Sequence, residues 1–519
     1  MDDTIERRLI RKLIGDTFRM NALMLKKDAQ EFCIDTLERV EEDKRRKWME
    51  RIIETIRKQN LTSDCVTLDD FQNIIKQVVT SKSEKATALI KIFDAFTLPY
   101  MEFCTEKKHM LVKERKTGGG VERMTAVFRQ RFLQIQQRIS RLNVFDGIKF
   151  TTVEGLLAVS HRIDEAVVLG MLTQQKANTW HIEDLTGSVQ VEFTPDTKFH
   201  AGIFCEGAAM IFEGFYQALL FTVTGVGMVP PESAEQTRKA CGNTNWFGGE
   251  EKLCFRANPK LIKLGSLHQD ASIVVLSDVH LDDPLVLACL RHLFTGFISA
   301  PPAAFVFCGN FCSRSRQPDT MQLLDKGFRR LSDAINEYAT YYANSHFIFV
   351  PGPDDPSSQY VLPRPHLPVS LFRYMQKVPN CSFGSNPVRI QFASSEIIVF
   401  REDVIEKMCR HAIRVPSDSK EVWSAAVHTI LSQAHLSPLP MHIAPVLWNY
   451  DDALRLQPLP DNLIIADKFE SFSKTVKDCK VVNPGSFYRT PHEFMVVYPL
   501  KDLVEPSHLG KVRTEDNSL

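Results

Sequence analysis

The sequence predicts a multidomain α+β protein in which a small helical domain, a small β-barrel and a large α/β sandwich follow one another. Three observations support this prediction. Apolar residues recur at helical spacing up to about residue 80, alternate with polar ones from Val167, and form short β-branched runs from about Ala271 onward. A chain of 519 residues is also too long to fold around a single hydrophobic core.

The composition argues against several classes of protein. Lys plus Arg and Asp plus Glu both number 63, so no net charge draws the whole chain to a polyanion. The first residues are charged and no run of about 18 apolar residues occurs, so we expect an intracellular protein with no signal peptide and no membrane partner. The 12 cysteines include no C-x-x-C pair, which predicts reduced, mostly buried thiols rather than a structural zinc site.

Residues 1–80 are predicted to form the helical N-terminal domain. Three apolar stripes have the spacing of packed helices: Ile5, Leu9, Leu13; Phe32, Cys33, Leu37, Val40; and Trp48, Ile52, Ile56. A fourth helix is predicted after Thr67, which resembles the start of a capping box with Asp70. The apolar face of that helix would be Phe71, Ile74, Ile75, Val78 and Val79.

Residues 81–145 are predicted to be a linker with a basic amphipathic helix. Lys113 to Gly120 has the glycine and charge content of a flexible segment. Between Lys107 and Arg141 there are ten Lys or Arg against only Glu114 and Glu122. The apolar positions of the helix are Met124, Phe128, Phe132, Ile135, Ile139 and Leu142, and its polar face carries Arg129, Arg131, Arg138 and Arg141. We favour a solvated helix face over a DNA contact.

Residues 146–250 are predicted to form a five-stranded barrel of the OB type. A period of two runs through Val167 to Leu172, Trp180 to Ile182 and Val189 to Phe193, and short strands follow at Met210 to Phe212 and Phe221 to Val223. OB barrels often bind single strands by stacking bases on aromatic residues over a basic groove. This hairpin offers acidic side chains instead, so a structural or protein-binding barrel is favoured.

Residues 265–519 are predicted to form the α/β sandwich. Its buried strands are expected at Ile273 to Leu276, Phe305 to Cys308, Phe347 to Val350, Ile397 to Phe400, Leu463 to Ala466 and Phe494 to Tyr498. Polar residues follow several of these strands, and α/β folds place their sites at the carboxyl ends of strands. The triplet Asp278-Val279-His280 follows the first strand, and Gly309-Asn310 follows the second.

These motifs resemble those of the calcineurin-like phosphoesterases, which hold two metal ions between carboxylates and imidazoles. Several ligands that the resemblance calls for are missing. A neutral amide at Asn310 is a poor bridge between two cations, and Pro353 offers no side-chain ligand. The motif positions to compare with that family are Asp278, His280, Asn310, Pro353, Asp354, His435, Asp467 and Phe469. The resemblance therefore implies an inactive phosphoesterase with no catalytic residue, no cofactor and no metal.

An OB barrel joined to an inactive phosphoesterase resembles the B subunits of eukaryotic DNA polymerases. The marks of this family are Gly242 to Gly249, Pro351 to Pro356, Leu362 to Pro365 and Asn483 to Phe487. The strings Phe400 to Asp403, Lys407 to Arg410 and Thr429 to Pro440 resemble the epsilon type, whose helical N-terminal domain is similar to the lid of AAA+ ATPases. The chain has no Gly-x-x-x-x-Gly-Lys-Ser/Thr motif for ATP.

The resemblance implies a nuclear, non-catalytic accessory subunit that acts in DNA replication. Its expected partners are the C-terminal region of the polymerase epsilon catalytic subunit, the replicative helicase (CMG/GINS) through the N-terminal domain, and small histone-fold subunits, with DNA touched indirectly or weakly. Three alternatives stay open at this point. They are the B subunit of polymerase delta or alpha, a residual metallophosphoesterase or nuclease that retains Asp278 and His280, and a module that binds single strands.

Overall fold

The computed structural model describes residues 3–510 except 22, 39–44, 47, 51, 54–55, 57–64, 69, 72–87, 105, 107–108, 116–119, 250, 252, 315, 358–359 and 417. The chain divides into two compact units, Met1–Ala88 and Leu89–Leu519. No helix in the described parts of the chain is both long enough and apolar enough to cross a membrane.

The first unit is built from helices, as the periodicity predicts. Its described elements are the helices Asp3–Met20 and Lys27–Glu38 and the parallel strand pair Met24–Leu25 with Cys65–Val66. The second and third predicted stripes meet in one core, which includes Cys33, Leu37, Trp48, Ile52, Ile56 and Phe71. The first stripe was wrong in part: the first helix turns Ile10, Ile14 and Phe18 into this core, and the predicted Leu9 is 60% exposed. The hydroxyl of Thr67 accepts a hydrogen bond from the Asp70 amide, so the predicted cap is present. The predicted helical positions Ile74, Ile75, Val78 and Val79 lie outside the described residues.

The predicted five-stranded barrel is present in the second unit. Its strands, in their order around the closed barrel, are Ala209–Gln217, Leu220–Gly227, Ser188–Phe199, Thr179–Glu183 and Ile163–Lys176. Alternate residues point inward, so that Val168, Phe212 and Phe221 are fully buried while their neighbours face outward. A short helix, Val153–Leu157, packs Val153 and Leu156 against this barrel core.

The rest of the second unit is a sandwich of two six-stranded sheets. The first sheet has the order Cys381–Phe383, His346–Val350, Ala304–Cys308, Ile273–Leu276, Glu493–Tyr498 and Leu503–His508. The second has the order Phe472–Val476, Cys479–Asn483, Asn462–Ala466, Ser395–Arg401, Val388–Phe392 and Ile90–Asp94. All six strands predicted from the β-branched runs are among them. A separate two-stranded antiparallel sheet is formed by Phe204–Cys205 and Ala412–Arg414.

Apolar side chains fill three layers of this sandwich. Between the sheets, Val275 and Val306 of the first sheet pack against Val399 and Ile464 of the second. The outer face of the first sheet is covered by helices Pro284–Gly296 and Thr320–Asn336, and that of the second by Val404–Arg410 and Ser419–Gln433. Central strands buried on both faces explain why their sequences read as continuous apolar runs. Further helices are Ala234–Cys241, Pro259–Leu267 and Phe372–Met375.

The structure differs from the predicted linker over residues 81–145. Ile90–Asp94 is an edge strand that pairs antiparallel with Val388–Phe392, and Met101–Cys104 forms a hairpin with His109–Val112. The basic helix, Val121–Ile139, packs Phe132 and other apolar side chains against the outside of the barrel. The prediction missed the edge strand because Lys91 and Asp94 interrupt the apolar run by which the other sandwich strands were recognised. The second unit therefore begins near Leu89 and not at residue 146.

Candidate functional site

Polar residues gather where strands of both sheets end. Asp278, Asn310 and Asp354 follow three neighbouring parallel strands of the first sheet, and Arg401 and Asp467 stand at the ends of two parallel strands of the second. Parallel strands bring their carboxyl ends to one edge of a sheet, which is where α/β folds place their sites. The sequence predicted this gathering, apart from Arg401.

Arg401 is the centre of the site. Its guanidinium is fully buried and donates to groups at four strand ends. The Nη2 atom lies 2.7 Å from Asp278 Oδ1, and Nη1 lies 2.8 Å from Asp403 Oδ1 and 3.2 Å from the Ala466 carbonyl oxygen. The Nε atom donates to the Gly309 carbonyl. Burial would lower the pKa of Arg401, but the charges of Asp278 and Asp403 raise it well above its ordinary value. Arg401 therefore supplies a permanent positive charge that ties the two sheets together.

Asp278 has both carboxylate oxygens engaged. Besides Arg401, its Oδ1 accepts from the Asn310 amide at 3.2 Å, and its Oδ2 accepts from the Ser486 hydroxyl at 2.7 Å. Although burial would raise the pKa of Asp278, the charge of Arg401 and these hydrogen bonds hold it below the usual range. The backbone has a φ of +55° at this residue, which turns the chain sharply after the strand. We name Asp278, Arg401, Asp403 and Ser486 the strand-end cluster.

Asn310 and Asp354 bond to each other next to this cluster. The side-chain oxygen of Asn310 accepts from the Asp354 amide at 2.9 Å, and its Nδ2 lies 3.3 Å from Asp354 Oδ2. Asp354 also forms an ion pair with Arg316. Pro353 lies in the turn between the strand end and Asp354. Asn310 thus closes a loop, a role that a neutral amide fills well.

Two buried carboxyl groups near the site have no basic side chain in hydrogen-bond contact among the described residues. Asp355 accepts from the amides of Phe311 and Gly352, both at 2.8 Å, and burial raises its pKa to about 6. Asp467 accepts from the amides of Ile405 at 3.0 Å and Phe469 at 2.9 Å. Burial, with the nearby charge of Asp403, raises the pKa of Asp467 to about 7. Both groups hold loops in place through backbone amides.

His280 faces an aromatic ring. Its imidazole stacks on Tyr488 with ring centroids 4.4 Å apart and planes at 25°. Burial lowers the pKa of His280, so the neutral ring is favoured. His280 is two residues after Asp278 in the sequence, but its ring contacts Tyr488.

His435 lies in a different cluster from the other predicted site residues. It is buried, its Nδ1 accepts from the Ser437 amide at 3.1 Å, and its Nε2 lies 3.3 Å from Asp451 Oδ1 without hydrogen-bond geometry. Burial lowers the pKa of His435 to about 4, and the charge of Arg131 adds to this effect. The prediction grouped His435 with Asp278 from motif order alone, whereas the structure places it beside the basic helix. We name Arg131, His435, Asp451 and Arg455 the helix-anchor cluster.

Of the four arginines predicted on the polar face of the basic helix, Arg131, Arg138 and Arg141 bond to the protein, so the prediction of a solvated face was wrong for them. The Arg131 guanidinium bonds Asp451 Oδ1 through Nη2 at 2.5 Å and Nε at 3.0 Å, and Arg455 Nη2 lies 3.7 Å from Asp451 Oδ2. Arg138 is fully buried and donates to the Ser432 carbonyl, while Arg141 pairs with Glu232 at 2.7 Å. The sequence could not show these partners, which lie far away along the chain. Only Arg129 of the four is exposed.

Arg401, Asp403 and Ser486 are the three residues of the strand-end cluster that motif analysis missed. Arg401 stands directly after the buried run Ile397 to Phe400, and a charged residue at the end of such a run is a signal that could have drawn attention to it. Ser486 lies within the family motif Asn483 to Phe487, and a single serine has no sequence pattern that would predict its contact with Asp278.

Three family models match the chain. Residues 273–474 match the B-subunit family of DNA polymerases alpha and epsilon, residues 121–230 match the OB-fold domain of DNA polymerase epsilon subunit 2-like proteins, and residues 6–78 match the N-terminal family of DNA polymerases epsilon. A Caenorhabditis elegans protein named probable DNA polymerase epsilon subunit 2 is 44% identical, and the alignment covers 100% of this chain and 98% of that protein. The chain belongs to the DNA polymerase epsilon subunit 2 family.

Other relatives agree with this family. The human DNA polymerase epsilon subunit 2 is 36% identical over 95% of this chain and 97% of its own length. A solved structure of an archaeal phosphodiesterase aligns with 46% of this chain and 99% of its own at 15% identity, with a TM-score of 0.26 that is too low to establish a shared fold. The predicted identity as the second subunit of the epsilon type is confirmed, and so is the predicted OB domain.

The site of this epsilon subunit does not fit the two-metal centre that the motif resemblance to calcineurin-like phosphoesterases implies. A bridging position needs a carboxylate, and here Asn310 is neutral and bonded to Asp354. The carboxylate of Asp278 forms an ion pair with Arg401, and the charge of this arginine repels a cation. In the described parts of the chain, no group of three or more His, Cys, Asp or Glu side chains is placed to hold a metal. The arrangement can hold strands together, but it offers no free ligand set.

Proposed function

We propose that this chain is the non-catalytic scaffold of a DNA polymerase epsilon complex, built on a phosphoesterase-like sandwich whose site serves only the fold. The observation that carries this proposal is the buried Arg401 guanidinium, bonded to the carboxylate that the first metal motif would supply. Family membership supports the accessory role, since the relatives are named as polymerase epsilon subunits.

Metal-assisted hydrolysis needs ions held in fixed geometry by anionic ligands. In this site the guanidinium takes up the negative charge of Asp278 and Asp403. Among the described residues no imidazole bonds to the cluster: His280 stacks on Tyr488, His435 lies beside Asp451, and Phe469 stands where the last motif calls for a histidine. The positions Asp278, His280, Asn310, Pro353, Asp354, His435, Asp467 and Phe469 are therefore proposed to be degenerate.

Purified full-length protein tests the loss of chemistry. We expect no stoichiometric manganese or zinc by elemental analysis and no turnover of a phosphodiester or of single-stranded DNA above background. The matched variants are Asp278→Ala and His280→Ala. A manganese-dependent activity that disappears in both variants would contradict the proposal and favour a residual metallophosphoesterase.

The barrel and the sandwich are proposed to act as one rigid body that binds the C-terminal region of the catalytic subunit. Several buried contacts join them. The Gln433 side chain exchanges two hydrogen bonds with the backbone of Ala209, at 2.9 and 2.8 Å, and the Thr429 hydroxyl accepts from the Ile203 amide at 2.8 Å. Buried, bidentate contacts of this kind oppose independent movement of the two domains.

Co-expression tests the rigid-body proposal. Residues 89–519 with the C-terminal region of the catalytic subunit should give a stable complex on size exclusion. A shorter fragment from residue 121 loses the edge strand Ile90–Asp94, and it also loses Arg115, which bonds Asp452 at 2.7 Å, so it should assemble less well. An 89–519 fragment that stays monomeric in the presence of the catalytic subunit would overturn this part of the proposal.

The first unit is proposed to recruit a different partner, the replicative helicase (CMG/GINS), as a domain similar to an AAA+ lid. Its separate core supports this division. The small histone-fold subunits and a nuclear location complete the proposed complex. Deletion of residues 1–88 should leave binding of the catalytic subunit intact while it reduces co-purification of the helicase. Loss of the catalytic subunit on this deletion would show that the two roles are not separate.

A further inference from the structure

A cavity of about 730 Å³ opens between the basic helix, the barrel and a loop of the sandwich. The helix supplies one wall through Met124, Phe128 and Phe132. These residues follow each other at a spacing of four and so share one helix face. No residue of the strand-end cluster or the helix-anchor cluster lines this cavity, so the cavity is separate from both.

The other walls of the cavity also carry apolar side chains, next to polar ones such as Thr173 and His442. The barrel contributes Met171 and Leu185, and the loop contributes Pro440 and Met441. Leu185 is 48% exposed, so a ligand that enters the cavity can contact its side chain. Methionine side chains are flexible and polarisable, so walls that contain several of them adapt to the shape of a bound apolar group.

One side of the cavity is acidic. Glu183, Asp184 and Glu206 line it, and no ion pair joins any of them to a basic side chain in the described parts of the chain. Their hydrogen bonds come from neutral groups: Gln175 donates to Glu183, and the Gln174 amide donates to Glu206. Arg129, across the cavity, balances only part of this negative charge. Apolar walls with an acidic rim match an apolar segment that carries positive charges.

We propose that this cavity is a docking groove for a short amphipathic helix of a partner protein that carries Leu or Phe side chains on one face and Lys or Arg on the other. The apolar side chains enter between the basic helix and the barrel, and the basic ones meet Glu183 and Glu206. An amphipathic helix in an apolar groove is a recurring mode of peptide recognition. The proposal rests on the scaffold function above, to which it adds a place and a chemistry for one partner.

Fluorescence anisotropy with the full-length protein tests the groove. The probe is a labelled synthetic amphipathic peptide of about 14 residues, roughly four helical turns, with Leu and Phe on one face and Lys on the other. A matched peptide carries Glu in place of every Lys. We expect saturable binding of the Lys peptide that weakens with added salt, and binding of the Glu peptide at least about tenfold weaker.

Variants of the rim locate the binding. Glu183→Gln with Glu206→Gln should weaken the Lys peptide by about tenfold, and Leu185→Lys, at an exposed position that tolerates change, should weaken it by a similar factor. Glu192→Gln, exposed on the same barrel but away from the cavity, should leave binding unchanged. Absence of binding, equal affinity for both peptides, or insensitivity to the rim variants would overturn the proposal. A complex with the catalytic subunit that still forms in that case would leave the scaffold function standing.

Discussion

The strand-end cluster and the helix-anchor cluster each place a buried arginine against a buried aspartate, but they differ in what surrounds the aspartate. Arg401 is the one basic side chain that forms an ion pair with Asp278 among the described residues. Asp451 has Arg131 at 2.5 Å, Arg455 at 3.7 Å and His435 at 3.3 Å. The free energy lost when a buried pair is broken depends on how much charge the remaining partner leaves uncompensated.

The two clusters also differ in what they join. Arg401 holds strand ends of both sheets of the sandwich, whereas Arg131 holds a surface helix to it. The two arginines therefore join different parts of the second unit. Four variants test how far this contrast extends, in order of the effect expected.

Arg401→Met should cause the largest loss. It leaves Asp278 buried with only the Ser486 hydroxyl and an amide as donors, so we expect a loss of about 3–5 kcal/mol in the free energy of unfolding. Chemical denaturation of the full-length protein at neutral pH measures this value. Arg314→Met, at an exposed position nearby, is the matched control and should change stability by less than about 0.5 kcal/mol. Equal values for the two variants would contradict the fastening role of Arg401.

Arg131→Met should cost less, about 1–3 kcal/mol, because Arg455 remains near Asp451. The matched control is Arg129→Met, two positions away on the same helix and exposed. The same denaturation measurement applies. A loss equal to that of Arg401→Met would show that the number of neighbouring cations does not set the size of the effect.

Asp467 extends the comparison to a buried aspartate with no ion pair among the described residues. Its pKa is raised from an ordinary value of 3.8 to about 7. At a pH between these two values, the folded protein therefore keeps the Asp467 proton, whereas the unfolded chain has lost it. Stability from this group is therefore present at low pH and is lost as pH rises to about 7. Relative to Asp467→Asn, wild-type stability should fall by about 1 kcal/mol between about pH 6 and about pH 7.

The control for this pH series is Asp502→Asn, an exposed aspartate. Its stability should run parallel to that of the wild type across the range. A difference between the wild type and Asp467→Asn that does not vary with pH would show that Asp467 titrates in its ordinary range.

The smallest effect is expected on DNA. Arg131, Arg138 and Arg141 are engaged by the protein itself, so only Arg129 of this helix face is exposed for phosphate contacts. Arg129→Gln should change the affinity for a single-stranded oligonucleotide by less than about threefold, with a shallow salt dependence, as measured by anisotropy. A steep salt dependence that this variant removes would favour the single-strand-binding alternative.

Much of the architecture could be predicted from local patterns. The helical stripes of the first unit, the two-residue alternation of the barrel and the six buried strands of the sandwich are periodicities within short windows of sequence. The prediction missed the edge strand Ile90–Asp94 because charged residues interrupt its apolar run, and its pairing partner, Val388–Phe392, lies far away along the chain. The gathering of polar residues at strand ends followed from the general rule for α/β folds.

The sequence by itself determined the layered architecture and the family, and it is the basis for the proposal that ligands of a two-metal site are missing. Only the tertiary structure decided what the charged residues do instead. Arg401 lies 123 positions from Asp278, and Arg131 lies 320 positions from Asp451. The role of a charged side chain depends on which groups lie opposite it and on how far both are removed from water, and neither quantity is encoded in local spacing.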